Sequence, residues 1–306
     1  MIARILLLAT VSTANAGLFY DWLYKAQQEP QPAARVDLYT KALRAFEPGS
    51  DDLIADKATA LVGRAYAYDD LKQFDAALKD AQAAESISPA EWTVQKAKGY
   101  VLADLKRCPE SVKSYQAALA GASPEGRSGV ARELGLVLRD CSKDYKAADA
   151  AFAHAVQAAA ARGDIQDLHA ALRAAALNAC RQKRYAPALQ AFARSLSLID
   201  DTGTLYDKAV CEMEAKRLSA ARRSFSAVIE RLTSQEGGGT GYQETARREV
   251  GRTLEITSSD EAALPDSYYR RGRIALAQGD ENAGGRDLRE ACRLGLKAAC
   301  RARDDE

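Results

Sequence analysis

The chain has 306 residues, 47% of them hydrophobic and only 7% aromatic. Lys and Arg number 43 against 42 Asp and Glu, a formal charge of +1. That balance argues against a nucleic-acid binder, which needs an uncompensated basic surface, while the length suffices for one or two domains with a real core.

Residues 1–16 read as a secretion signal. Arg4 supplies the positive start, Ile5 to Val11 the short apolar core, and Ala14-Asn15-Ala16 the small-x-small cleavage pattern, with cleavage expected before Gly17. The apolar run is far shorter than the ~20 residues that span a bilayer. No Cys precedes Cys108, so a lipid anchor at the cleavage site is not expected. The mature chain is therefore expected outside the cytoplasm without a membrane span, in a bacterial periplasm first and secreted as the alternative. Residues 17–50 read as a helical hairpin. Phe19, Tyr20, Trp22 and Leu23 begin it, Pro30 and Pro32 interrupt it, and Val36, Leu38, Tyr39 and Leu43 pack its second helix, which would cap a stack of further helices.

From residue 52 to 233 one pattern recurs about five times, and it returns once more near the C-terminus. A small residue opens each second helix: Ala77, Ser111, Ala148, Ala188, Ala221 and Gly284. Four residues on stand Ala81, Tyr115, Phe152, Phe192, Phe225 and Leu288, and seven on stand Ala84, Ala118, Ala155, Ser195, Val228 and Ala291. A second small residue precedes each anchor by three turns or so: Ala65, Gly99, Gly135, Ala176, Ala209 and Gly272. Offsets of four and seven share a helix face. Two helices approach closely where neither carries bulk, and the large residue fills the space between repeats. The interval from Ala148 to Ala188 is longer than the first, so residues 158–167 must lengthen a helix or a turn.

This pattern resembles the tetratricopeptide repeat family, best at Leu61 to Pro89 and next at Trp92 to Pro124. The resemblance implies an all-α fold, a right-handed α-solenoid of stacked antiparallel helix pairs. It also implies that the first helices line a concave face. In this chain that face would carry Tyr66, Asp69, Asp70, Lys96, Tyr100 and Asp104, then Arg132, Leu136, Arg139, Arg173, Leu177 and Arg181, then Tyr206, Val210, Met213, Tyr269 and Arg273. Arg forks onto carboxylates and Tyr gives contact area at low entropy cost, so a peptide or helix of a partner protein is the expected guest. Tyr100, Arg132, Arg139, Arg173 and Arg181 are the leading candidates.

Gly237 to Gly241 read as a linker, followed by an amphipathic helix carrying Tyr242, Ala246, Val250 and Leu254; together they fill residues 234–264. Pro265 is expected to begin the last hairpin, which with the tail covers residues 265–306. Its Cys292 and Cys300 resemble the paired cysteines of SEL-one-like repeats, and that resemblance implies a disulfide between them, with Gly295 turning the chain. Cys108 and Cys141 lie one period apart at helix turns, and Cys180 and Cys211 one period apart late in first helices, so these are expected to pair. No zinc-type Cys or His spacing is present, and His154 and His169 read as surface or packing residues. No nucleophile–base set and no phosphate loop appears, so neither an enzyme nor a cofactor is expected. The expected function is an exported scaffold that binds another protein, an envelope or secreted component, in the assembly of an envelope or secretion complex. A glycan- or small-ligand-binding solenoid is the alternative, and self-association is left open.

Overall fold

The computed structural model describes residues 17–46, 51–234 and 260–304. The signal segment, the glycine linker and the helix expected over 242–254 lie outside the described residues. Among the described residues every element is a helix. The chain divides into two compact units, Met1–Lys143 and Asp144–Glu306.

The first unit contains α1 (17–28), α2 (Pro32–Ala45), α3 (Asp51–Asp70), α4 (Phe74–Ile87), α5 (Trp92–Asp104), α6 (Cys108–Gly121) and α7 (Pro124–Asp140). The second contains α8 (Tyr145–Arg162), α9 (Ile165–Arg181), α10 (Tyr185–Leu198), α11 (Thr202–Glu214) and α12 (Leu218–Ser234). It ends with α13 (Asp260–Ala277), α14 (Glu281–Arg293) and α15 (Lys297–Asp304). Within each unit consecutive helices pack in pairs and the pairs stack, which makes this an α-solenoid.

The small residues do what their spacing implies. Ser111 Oγ donates to the Gly99 carbonyl at 2.6 Å, so α5 and α6 touch backbone to side chain. A Cβ on Gly99 would stand 2.8 Å from the ring of Tyr115. Gly272 and Gly284 repeat the arrangement between α13 and α14, where a Cβ on either would come within 3.1 Å of the other's carbonyl oxygen. Ala176 and Ala188 share one core cluster, as do Ala209 and Ala221. The bulky residues at the four-on position, Tyr115, Phe152, Phe192 and Phe225, are fully buried. Each such side chain contributes about 1.5–3 kcal/mol by leaving water.

The hairpin α1–α2 closes the front of the first unit, with Phe19, Leu23, Ala26, Tyr39 and Ala42 around Ala60 of α3. Pro32 stands at the start of α2, where its missing N–H costs nothing. The longer interval in the middle of the sequence is a longer helix: α8 has 18 residues where α10 has 14, and it ends on left-handed Gly163. Pro265 was expected to open the last hairpin, but α13 begins at Asp260 and holds Pro265 in its interior. It sits little more than one turn in, where its ring removes a single intrahelical hydrogen bond.

The turns between paired helices carry an uncommon signature. Lys72, Lys106, Lys183 and Lys216 have φ near +60° and follow the last turns of α3, α5, α9 and α11. The next residue donates back to the preceding helix, as in Gln73 to Tyr68 and Arg184 to Ala179, both at 2.9 Å. This is the helix ending usually given to glycine, and glycine does fill it at Gly279 and Gly295.

Three cysteine pairs stand at distances compatible with disulfides, in the pairing expected. Cα separations are 5.6 Å for Cys108 and Cys141, 5.9 Å for Cys180 and Cys211, and 4.8 Å for Cys292 and Cys300. Among the described residues no helix is long and apolar enough to cross a membrane.

Candidate functional site

In the first unit the residues expected to face a guest are mostly engaged with one another. Tyr66 of α3 and Tyr100 of α5 occupy the same repeat position and meet edge to face, with centroids 5.6 Å apart. Tyr100 is only 8% exposed. Burial, with the carboxylates of Asp104, Asp69 and Glu133 around it, pushes its phenol far up. Asp69 is buried, and Asp70 is ion-paired with Arg35 of α2. Lys96 reaches Glu133 of α7 at 3.0 Å. Burial raises the Glu133 carboxyl above the usual range in spite of Lys96, Arg132 and Tyr115. On α7, Arg132, Leu136 and Arg139 were expected on an open face; the structure buries them, at 2%, 0% and 4% exposure. Arg139 forks onto the adjacent Asp140 at 2.6 and 3.0 Å. Asp104 remains half-buried.

The second unit keeps more of the expected face accessible. Arg173 of α9 donates from Nε to Asp207 of α11 at 2.7 Å. The Tyr206 hydroxyl donates to Asp266 of α13, which Arg270 also engages, and the Tyr206 ring lies edge-on to Phe225 at 6.0 Å. These bonds tie successive first helices together, so Arg173 and Tyr206 hold the stack. Between them Leu177, Val210 and Met213 are half-buried, and Arg181 and Arg273 are exposed. Arg273 donates to the Tyr269 hydroxyl at 3.0 Å and lies 5.9 Å over its ring. An apolar strip with basic and aromatic ends therefore runs along α9, α11 and α13.

Two features were not read from the sequence. The first is the set of partners around His169, which was expected as a plain surface or packing residue. Its Nε2 faces Asp201 at 3.1 Å and its Nδ1 the Ser195 carbonyl at 3.1 Å. Burial disfavours the imidazolium, but two acceptors on opposite sides outweigh it and hold His169 above the usual histidine value. Burial likewise works against the Asp201 carboxylate, and the His169 and Thr204 hydrogen bonds overcome it to set Asp201 far below its ordinary value. Ser195 Oγ is 3.0 Å from the imidazole, a Ser–His–Asp arrangement in outline. The serine is completely buried and also donates to the His169 carbonyl, so the cluster joins α9 to α10 and α11.

The second is an open depression of about 540 Å³ lined by Tyr145, Cys180, Arg181, Lys183, Tyr185 and Glu214. It lies where the first residues of α8 and α10 meet the last turns of α9 and α11. Among the described residues no group of His, Cys, Asp and Glu could hold a metal ion.

No family profile and no curated protein matches the sequence. Solved structures with the same fold are numerous. The C-terminal part of a TPR repeat-containing protein from Cytophaga hutchinsonii superposes with a TM-score of 0.60 at 15% identity, covering 94% of this chain and 98% of that one. PilF of Pseudomonas aeruginosa gives 0.57 at 17% identity, covering 81% and 94%. PilW, a type IV pilus biogenesis factor, gives 0.58 at 15% identity, covering 76% and 91%. At these identities the likeness establishes a tetratricopeptide-type solenoid fold.

Proposed function

We infer that this chain is an exported protein-interaction scaffold that holds a segment of a partner along the first helices of its second unit. The observation that carries this reading is the strip of Leu177, Val210 and Met213, left half-buried on consecutive first helices and flanked by exposed Arg181 and Arg273. A desolvated apolar centre with arginine and tyrosine at its margins is the usual composition of a protein interface. The signal-like residues 1–16 and the three cysteine pairs favour an oxidising compartment outside the cytoplasm. The likeness to PilF and PilW favours service to an envelope assembly such as a pilus machine. The terminal hairpin with Cys292 and Cys300 is read as a SEL-one-like end to the array.

The test is capture from a native envelope fraction with the chain from Gly17 onward as bait, followed by mass spectrometry. Leu177→Glu and Met213→Glu, each checked for helicity, are expected to lose the captured protein. Equal capture by wild type and both variants refutes this location for the site.

A further inference from the structure

The second helices turn one row of side chains outward, at two, five and nine residues past the small residue that opens each of them. In α4 and α6 the row holds a single cation, Lys79 or Lys113, among glutamine, serine and alanine, and in α8 and α10 it holds no charge. In α12 Glu230 offsets Arg223. In α14 all three places are arginine, and Arg286, Arg289 and Arg293 are each exposed. Offsets of three and seven keep them on one side of the helix, along about 10 Å of its length.

The cations continue past the end of α14. Lys297 and Arg301, one turn apart on α15, are also exposed. Arg293 follows Cys292 and Arg301 follows Cys300, and the Cα atoms of the two cysteines are 4.8 Å apart. Two chain steps of about 3.8 Å therefore leave the Arg293 and Arg301 backbones within about 12 Å of each other. The neighbouring carboxylates are mostly committed. Arg271 forks onto Asp287 at 2.7 and 2.8 Å. Asp280 accepts from Arg222 at 2.6 Å and from the Ala283 N–H at 3.1 Å, and Arg286 is the weakest of the groups acting on it. Glu290 is taken by Arg293 at 2.5 and 2.9 Å. Among the described residues of α14 and α15, Arg286, Arg289, Lys297 and Arg301 then stand against one uncommitted carboxylate, Glu281. The large exposed hydrophobic side chains, Leu18, Tyr20, Tyr24, Ile54 and Ile165, all lie on other helices.

We propose that this end of the second unit rests on an anionic phospholipid surface, with Arg286, Arg289, Lys297 and Arg301 set against the headgroup phosphates. A protein interface draws most of its energy from a desolvated aromatic or aliphatic anchor, and this face presents none. Charge spread over several long side chains suits a surface of many phosphates, to which each nearby cation is attracted separately. An envelope compartment is bounded by such lipid and holds no nucleic acid to compete for it. The inference is independent of the first-helix strip and adds a second surface to the molecule.

The experiment is co-sedimentation of the oxidised chain from Gly17 onward, which omits the apolar segment Ile5 to Val11. The vesicles are phosphatidylcholine alone or with about one third phosphatidylglycerol. The anionic vesicles are expected to bind at least about tenfold tighter at low salt, with the margin closing as ionic strength rises. Arg286→Gln with Arg289→Gln is expected to weaken that binding by about tenfold at an unchanged melting temperature, since both side chains are exposed. Arg286→Lys with Arg289→Lys keeps the charge and is expected to keep the binding. Lys79→Gln with Lys113→Gln removes equal charge from the same row of the first unit and is expected to leave binding intact. Asp304→Asn with Asp305→Asn and Glu306→Gln, which neutralises the acidic end of the sequence, is expected to tighten it. Equal binding to the two vesicles, an unaffected Arg286→Gln, Arg289→Gln chain, or an equal loss in the Lys79→Gln, Lys113→Gln chain overturns the proposal. So does tighter binding to a short DNA duplex than to the anionic vesicles. If the Arg286→Gln, Arg289→Gln chain loses the envelope protein that wild type captures, the row belongs to a protein interface and the lipid reading falls. Vesicle binding that survives Leu177→Glu and Met213→Glu leaves it standing, whatever becomes of the strip.

Discussion

Gly99→Ala tests the packing logic of the repeat at one atom. The new Cβ would lie 2.8 Å from Tyr115 Cδ2 and 3.0 Å from Cε2. Tyr115 is fully buried and cannot swing into solvent. Overpacking of this kind costs about 1–3 kcal/mol. Separating the helices also stretches the 2.6 Å bond from Ser111 to the Gly99 carbonyl, worth about 1 kcal/mol. Against this, alanine gains about 1 kcal/mol over glycine in a helix interior. The net expectation is a loss of about 1–3 kcal/mol by the same terms. The internal control is Gly129→Ala in α7, where a Cβ meets nothing within 4 Å and only the helix gain of up to about 1 kcal/mol remains. Urea unfolding of both variants, followed by circular dichroism, should move the midpoint in opposite directions. A Gly99→Ala protein as stable as wild type would refute the claim that the small residues set the helix spacing.

Four other expectations concern titration, a buried ion pair and the disulfides. Because the folded value of His169 is raised, its contribution is fully present below the unfolded histidine pKa of about 6.5 and is lost as pH rises through the folded value. The melting temperature should therefore fall as pH rises from about 6 to 8 in a way that His169→Gln abolishes; an identical profile for the variant contradicts the Asp201 and Ser195 contacts. Lys96→Met strands the buried Glu133 carboxylate and should cost about 3 kcal/mol, much of it recovered by Lys96→Met with Glu133→Leu, as a denaturation cycle would show. Reduction of the Cys180–Cys211 pair, whose members are 31 residues apart, should remove about 3 kcal/mol; an unchanged urea midpoint in dithiothreitol would mean that no bond had formed. Intact mass under non-reducing and reducing conditions should differ by six hydrogen atoms, two for each of the three bonds.

The features legible in the sequence were those encoded in residue size. Gly99, Ser111, Gly272 and Gly284 announce close helix contact because bulkier residues would not permit it, and Tyr115 or Phe192 announces the space that contact leaves. Cys108 with Cys141 and Cys180 with Cys211 were legible because one period brings their backbones together, whereas Cys292 with Cys300 followed from the resemblance to SEL-one-like repeats. The charged face was less so. Arg173 and Lys96 look like open cations in a single helix, yet Asp207 and Glu133 one repeat later neutralise them. Such pairs join positions that no local pattern links, and Asp207 by itself is indistinguishable from a solvated charge. Arg132 and Arg139 share the phase of a surface row but lie buried, since periodicity gives direction and not depth. The left-handed lysines were missed because lysine carries no mark of positive φ as glycine does.

The cysteine pairs have a mechanical consequence. Once oxidised, they close loops of 33, 31 and 8 residues. A chain drawn out by its ends lengthens by at most about 3.3–3.6 Å per residue, and the residues inside a closed loop contribute none of it. On the order of 200 Å of contour is thereby withheld from any pulling force. A chain pulled by its ends would then stop short at a fixed reach, and a reducing environment would let it out.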